Sequence, residues 1–413
     1  MDALLRAHAD QIIKASIRAV LPDEAVKRAL EGQVFPGRVL LVAAGKAAWQ
    51  MAKAAYDFYG SRIEAGVVVT KYDHVKGPIG NFQCFEAGHP VPDENSFRGT
   101  QAALDLVTGL GEKDTVLFLL SGGGSALFEK PLVSGEVLQD ITGQLLACGA
   151  DIVEINTIRK RLSAVKGGRF ALACAPAKVF SIVLSDILGD PLDMIASGPA
   201  VPDTSTCEQA IAVAKKYDLH MPAEAWTLLG QETPKALDNV TTQINGSVKE
   251  LCLAAAAACR KLGYEPVVLT DQLCCQAKEA GSFLASILKT HAGHGKNMAF
   301  LAGGETVVQL TGKGLGGRNQ ELALAAAAGI DGIPGTAVFS VGSDGTDGPT
   351  DAAGGYVDYT IAEQLKQQEI AIFDVLKEND AYHALQKTGG LVMTGPTGTN
   401  VNDVAVALLR AEV

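Results

Sequence analysis

The sequence predicts an α/β protein of two domains, and three observations carry that prediction. Short apolar runs alternate with helical stretches, those runs are apolar on both faces, and glycines with small polar residues cluster immediately after them. Alternation of this kind argues a parallel sheet, and strands covered on both sides read as continuous apolar runs. At 413 residues the chain exceeds one ordinary single-core domain, so two domains with one cleft between them are expected. Hydrophobic residues make up 47% and charged residues 20%, which excludes a disordered, collagen-like or coiled-coil chain.

The first 21 residues read as an amphipathic surface helix, lacking the apolar core and cleavage site of a signal peptide. Strand RVLLVAAG (38–45), helix KAAWQMAKAAYDFYG and strand AGVVVTK (65–71) follow, then a loop with GHPVPDENS, a helix through Leu110 and strand DTVLFLL (114–120). Two helical stretches, GEVLQDITGQLLACG and INTIRKRLSAVKGGRFALA, precede strand KVFSIVLSD (178–186) and a Gly/Pro/Asp-rich segment ending at Asp203. Residues 233–246 are polar, rich in turn formers and without strong period, so the domains are set at 1–235 and 245–413. The second begins with helix VKELCLAAAAACRKLG, strand EPVVLTD and helix QAKEAGSFLASILKTHAG, then strands NMAFLAGG and TVVQLTG. Helix NQELALAAAAG, strand TAVFSVGS, two more helices and a final LVMTGPTGTNVNDVAVALL complete it. Adjacent short strands around GGET predict a hairpin, hence a mixed sheet.

Net charge is −11, so no global basic field exists to hold nucleic acid or an anionic membrane, and an anionic substrate needs a locally basic pocket. No run of 18 apolar residues occurs, which argues against a membrane span. Eight cysteines without a CxxC pair read as reduced thiols of a cytoplasmic protein, and neither they nor the seven histidines fall at zinc-ligand spacing. Whether the chain forms a homo-oligomer is left open by the residues.

Chemistry is expected just beyond the strands' carboxyl ends. There, Ser121, Gly122, Gly123, Gly124 and Ser125 combine three glycines, which let backbone amides approach an anion, with two hydroxyls. A phosphate cradle is favoured over a tight turn, since one glycine suffices for a turn. Gly45 and Lys46 set an ammonium at a helix start, although the Walker A pattern is missing. Lys46 alone reads equally as a solvated cap or as a ligand of phosphate or carboxylate. From Asn156 to Arg169 the chain carries five cations, and helical spacing puts Arg159, Ser163 and Lys166 on one face that could receive a triphosphate. A solvated helix surface is the commoner meaning of such a run.

Asp186, the first acid off its strand, is the candidate for holding Mg²⁺ or taking a hydroxyl proton, while Asp190 and Asp203 read as turn formers. Residues 312–317 formally contain GxGxxG, and Arg318 opens the next helix with a guanidinium fork suited to a carboxylate or a migrating phosphoryl group. Asp344, Asp347 and Asp351 offer carboxylates suited to Mg²⁺. The 394–400 loop, TGPTGTN, reads evenly as turn or anion site near a helix start. His89 is the one histidine in a loop of this kind, and it reads as a loop residue with a backbone partner.

As a set, SGGGSA, NTIRKRLSAVKGG, LSDILGDPLDMIASGP, AGGETVV, GGRNQELALA, SVGSDGTDGPTDAAGG and TGPTGTNVND resemble the glycerate 2-kinase family, whose C-terminal portion is called the MOFRL domain. The resemblance covers nearly the whole chain. It implies a Rossmann-like first domain facing a smaller second one across a cleft, and ATP- and Mg²⁺-dependent phosphorylation of D-glycerate at its 2-hydroxyl. It places the family's essential lysine on Lys46 and its essential arginine on Arg318. In that scheme residues 122–125, Asn156, Arg159 and Lys166 hold ATP phosphates, and Asp186 accepts the hydroxyl proton. Two other readings stand beside it: an NAD(P)H-dependent hydroxypyruvate reductase, supported by the GxGxxG alone, and a non-catalytic sensor of an organic acid.

Overall fold

A computed structural model describes residues 1–411. The chain divides into two compact units, one of Pro22–Ser185 with Asp190–Asn245, the other of Met1–Leu21, Asp186–Gly189 and Gly246–Val413. This differs from a division at 1–235 and 245–413 in one large respect. Helix Ala3–Ala19 packs with the second unit, where Leu5, Ile12 and Ile13 join Leu251, Ala255 and Phe339 in one core cluster. An amphipathic face specifies that it must be covered but not by what. The last two positions assigned to the second domain, 412 and 413, lie outside the described residues.

The first unit is built on β1 (Val39–Ala44), β2 (Ile63–Lys71), β3 (Gln83–Ala87), β4 (Thr115–Leu120), β5 (Lys178–Leu184) and β6 (Val240–Gly246), in the order β3-β2-β1-β4-β5-β6. Strands β1 to β5 are mutually parallel. This is the doubly wound Rossmann order, whose direction of growth reverses between β1 and β4. Alternate residues explain the double burial: Val39, Leu41 and Ala43 enter one core cluster, and Leu40, Val42 and Ala44 the other. The polar 233–246 stretch, expected as a linker, supplies β6, a sheet-edge strand of partly exposed residues.

In the second unit, β7 (Glu265–Leu273), β8 (Met298–Gly304), β9 (Thr336–Gly342), β10 (Gly354–Asp358), β11 (Leu391–Val392) and β12 (Asp403–Leu409) form a sheet of order β11-β10-β9-β12-β8-β7. It is mixed, but not through a hairpin at GGET. Residues 305–311 form no ladder strand, and only Val307 makes an isolated bridge, to Gln276. The mixture arises because β12 inserts antiparallel between β8 and β9, and β10 pairs antiparallel with β9. No described helix is long and apolar enough to cross a membrane.

Candidate functional site

In the first unit the loops after β1 and β4 are locked together at the point where the sheet order reverses. The Lys46 amide donates to Gly122 O at 2.9 Å, the Ala47 amide to Ser121 Oγ at 3.0 Å, and the Ser121 amide to Ala44 O at 3.0 Å. Ser121 therefore joins the two loops through its hydroxyl oxygen as acceptor, and its O–H proton remains a donor. Gly45 has φ 122°, and a Cβ there would lie 2.3 Å from Ser121 Oγ, so only glycine fits. Among the described residues the Lys46 ammonium has no carboxylate partner. The amides of Gly122, Gly123, Gly124 and Ser125 likewise have no acceptor in the protein among the described residues, the condition an anion cradle requires.

Gly123, at φ 84°, sits between two side chains: a Cβ there would come 3.0 Å from the His89 ring and 3.2 Å from Lys46 Cγ. His89 is half-buried, and burial followed by the nearby charges of Lys46 and Lys71 holds its pKa below the ordinary value. The backbone partner expected for its ring is missing, since neither ring nitrogen has a protein partner among the described residues. Beside the cradle, Ser125 Oγ lies 3.4 Å from Ser197 Oγ, which donates to Asn156 Oδ1 at 2.8 Å. Ala196 and Ser197 adopt φ 51° and 60°, a left-handed pair costing roughly 1–2 kcal/mol per residue. Their turn packs on the cradle, where a Cβ at Gly124 would meet Ala196 Cβ at 2.7 Å.

The cationic run has a different role from the one expected. Helix Ile152–Arg159 stops before Ser163, so Arg159, Ser163 and Lys166 share no helical face. Lys166 is fully buried and donates to Ser125 O at 2.9 Å and Phe128 O at 3.1 Å, while Arg159 donates to Ser125 O at 3.0 Å. Buried Glu129 lies 3.3 Å from Lys166 and 3.7 Å from Arg159. These cations brace the carbonyls of the short helix Gly124–Leu127 instead of facing a triphosphate, and burial brings the Lys166 pKa down to about 8. Lys160 and Arg161 are similarly turned inward, sharing buried Asp203, so that acid is a counter-ion and more than a turn former.

In the second unit Arg318 opens helix Arg318–Ile330. Its Nε and Nη2 donate to the two oxygens of Asp403 at 2.6 and 3.1 Å, and its Nη1 donates to Glu305 at 2.8 Å. Asp403 opens β12 in register between Gly304 and Gly342, which fixes the fork from the sheet. Burial raises the Asp403 pKa to about 6 against the pull of Arg318. Asp403 and Glu305 are site residues that sequence reasoning missed; the acid following the β8 glycines in GGET was the available signal for Glu305. Arg318 and Asp344 line a cavity of about 710 Å³ with Thr306, Leu310, Lys313 and Thr346.

The three candidate metal ligands do not gather. Asp347 is buried, and its carboxylate accepts from the amides and side chains of both Asn319 and Gln320, capping the Arg318 helix. Four donors fill its lone pairs. Asp351 accepts from Tyr382 at 2.8 Å. Among the described residues no three His, Cys, Asp or Glu side chains form a metal-binding group. The carboxylate of half-buried Asp344 accepts only from the Thr346 amide among the described residues, which leaves one oxygen open. Asp186 falls in the short segment belonging to this second unit, where its carbonyl accepts from Asn402 at 3.1 Å.

The GxGxxG loop is also spoken for. Amides of Thr311 and Gly312 donate to Asn379, that of Gly314 to Glu378 O, and that of Leu315 to Asp380. A Cβ at Gly312 would sit 2.3 Å from the Glu378 backbone and one at Gly314 would sit 2.6 Å from Glu378 O, so these glycines serve close packing. TGPTGTN precedes strand β12 where a helix start was expected, and it interlocks with the loop after β9: Thr397 donates to Asp344 O and Ser343 O.

Comparison with known proteins adds to this geometry. A family described as "Domain of unknown function (DUF4147)" matches residues 8–230, and the MOFRL family matches residues 298–403. The chain is 53% identical over 411 residues to D-glycerate 2-kinase of Thermotoga maritima, covering 98% of each. To glycerate 2-kinase of Pyrococcus horikoshii it is 39% identical, covering 97% of each. A crystal structure of glycerate kinase from Thermotoga maritima superposes with a TM-score of 0.95 at 52% identity, covering 99% of this chain and 100% of that one.

Proposed function

The chain belongs to the glycerate 2-kinase family, and from that premise we infer that it transfers the γ-phosphoryl group of ATP to the 2-hydroxyl of D-glycerate, giving 2-phospho-D-glycerate and ADP. The observation that carries the reading is a lysine, Lys46, unpaired among the described residues, beside four amides likewise without a partner there, at the reversal of a Rossmann sheet. Phosphoryl transfer asks a protein mainly for positioning and for charges that meet the migrating group. Amides of residues 122–125 hold phosphate oxygens, and Lys46 neutralises charge on the transferring group. Ser125 adds a hydroxyl whose orientation follows from Ser197 and Asn156. Arg318, aimed by Asp403, takes an anionic group of the substrates by exchanging Glu305, whose side chain is 47% exposed.

Mg²⁺ typically keeps several waters and binds through one or two carboxylates plus phosphates, so it needs no all-protein cage. Asp344, with an open oxygen, would hold it, and the ion would neutralise phosphate charge. Asp347 and Asp351, already bonded within the protein, do not fit that role. Reduced thiols and an acidic surface are consistent with a cytoplasmic enzyme.

The test is ADP formation dependent on D-glycerate, with the product read by phosphorus NMR. A phosphate ester at the 2-position couples to one proton and an ester at the 3-position to two, so a doublet supports the reading and a triplet refutes its regiochemistry. ATP turnover that ignores glycerate refutes it altogether.

A further inference from the structure

His89 stands beside the cradle, and the mechanism above leaves it idle. The ring is half-buried, and both of its nitrogens lack a protein partner among the described residues, which leaves them open to a ligand. Its loop is nevertheless fixed. Asp93 accepts from the Tyr72 hydroxyl at 2.7 Å and from the Ser96 amide at 3.0 Å, and a Cβ on Gly88 would lie 3.0 Å from Asp93 Oδ2. The ring edge bearing Nε2 then lies over Gly123, 3.1 Å from where a Cβ would stand. The φ of 84° at Gly123 and this close approach both require glycine.

The charged groups around the ring are Lys46 from the loop after β1 and Lys71 at the end of β2. The nearby acid on its own loop, Asp93, is engaged by Tyr72 and Ser96. Two cations and partial burial favour the neutral ring, which has a lone pair to accept a proton at neutral pH. Asp186, the acid that the sequence suggested for this proton, has partners of its own.

Resting on the kinase reading above, we propose that His89 is the general base of the transfer, accepting the proton of the glycerate 2-hydroxyl at a ring nitrogen. The hydroxyl O–H bond breaks as that oxygen forms its bond to the γ-phosphorus. The bond from the γ-phosphorus to the bridging oxygen breaks with its electron pair leaving on ADP, and the imidazolium returns its proton to water.

The experiment compares wild type, His89→Ala and His89→Gln in glycerate-dependent ADP formation across pH, with and without added imidazole. A wild type that makes no ADP from glycerate refutes the kinase reading, whatever His89 does. With wild type active, the proposal expects kcat lower by about 10²-fold or more in both variants, with the KM for ATP little changed. It also expects loss of the acidic limb of the kcat/KM profile and partial recovery of His89→Ala by imidazole. Variants within threefold of wild type overturn it. So does a loss that imidazole does not restore and that keeps the acidic limb, which is the signature of a packing role. His89→Gln, similar in bulk, keeps the test readable where His89→Ala does not fold.

Discussion

Arg318 shows how one side chain's chemistry is set by its neighbours. Its fork is occupied on two nitrogens by Asp403, a nearly buried acid at the start of a strand, so the guanidinium cannot swing. That acid's folded pKa, about 6, lies above the ordinary value of 3.8. A raised carboxyl contributes stability that is full below the unfolded value and is lost as pH rises through the folded one. The stability of wild type relative to Asp403→Asn should therefore decline between about pH 4 and pH 6, by about 2 kcal/mol, read from urea midpoints. A pH-independent difference would show that Asp403 is not so perturbed. Single residues were unevenly legible in the sequence. The place of Lys46 after a strand was legible, but Asp347 and Lys166 were misread because spacing does not reveal that a carboxylate caps a helix or that an ammonium is buried. His89 and Asp403 acquire their meaning only from neighbours distant in sequence.

The cradle is an element held by other elements, and its integrity depends on contacts that face away from any ligand. Lys166, Arg159 and Glu129 form a buried charge cluster under the 124–127 turn. Removing one member of a buried pair typically costs 3–5 kcal/mol, because the other charge is left uncompensated. Lys166→Met should therefore be destabilised by roughly that amount, and adding Glu129→Gln should recover part of the loss, as chemical denaturation of the double-mutant cycle would measure. Additive losses would mean that the two groups do not interact. At the neighbouring turn, Gly45→Ala would drive a Cβ into Ser121 Oγ and strain a φ of 122°. It should lower stability by about 2 kcal/mol or more and weaken ATP binding, both read on the purified variant by thermal unfolding and titration. Unchanged stability would show that the two loops are not locked as described.

For the whole molecule, the α/β class was legible because buried strands are apolar on both faces, whereas the second sheet is mixed through β10 and β12 and not through the hairpin expected at GGET. The strands that escaped were those with less to bury. Strands β3 and β6, QCFEA and VTTQING, edge their sheet and carry exposed polar residues, and β10 begins with two glycines that have no side chains to show a period. The helix Ala3–Ala19 was read correctly as a helix yet assigned to the wrong unit, since covering its apolar stripe is a long-range choice. The kinase chemistry rests on Lys46 meeting phosphate beside the glycine amides, and the most direct measurement is glycerate-dependent phosphoryl transfer by Lys46→Ala against wild type, with thermal midpoints taken on both. The account predicts a turnover lower by roughly 10³-fold with an unchanged midpoint, comparable to removing another cation that meets a transferring phosphoryl group. A folded Lys46→Ala variant that still phosphorylates glycerate at near wild-type rate would contradict it.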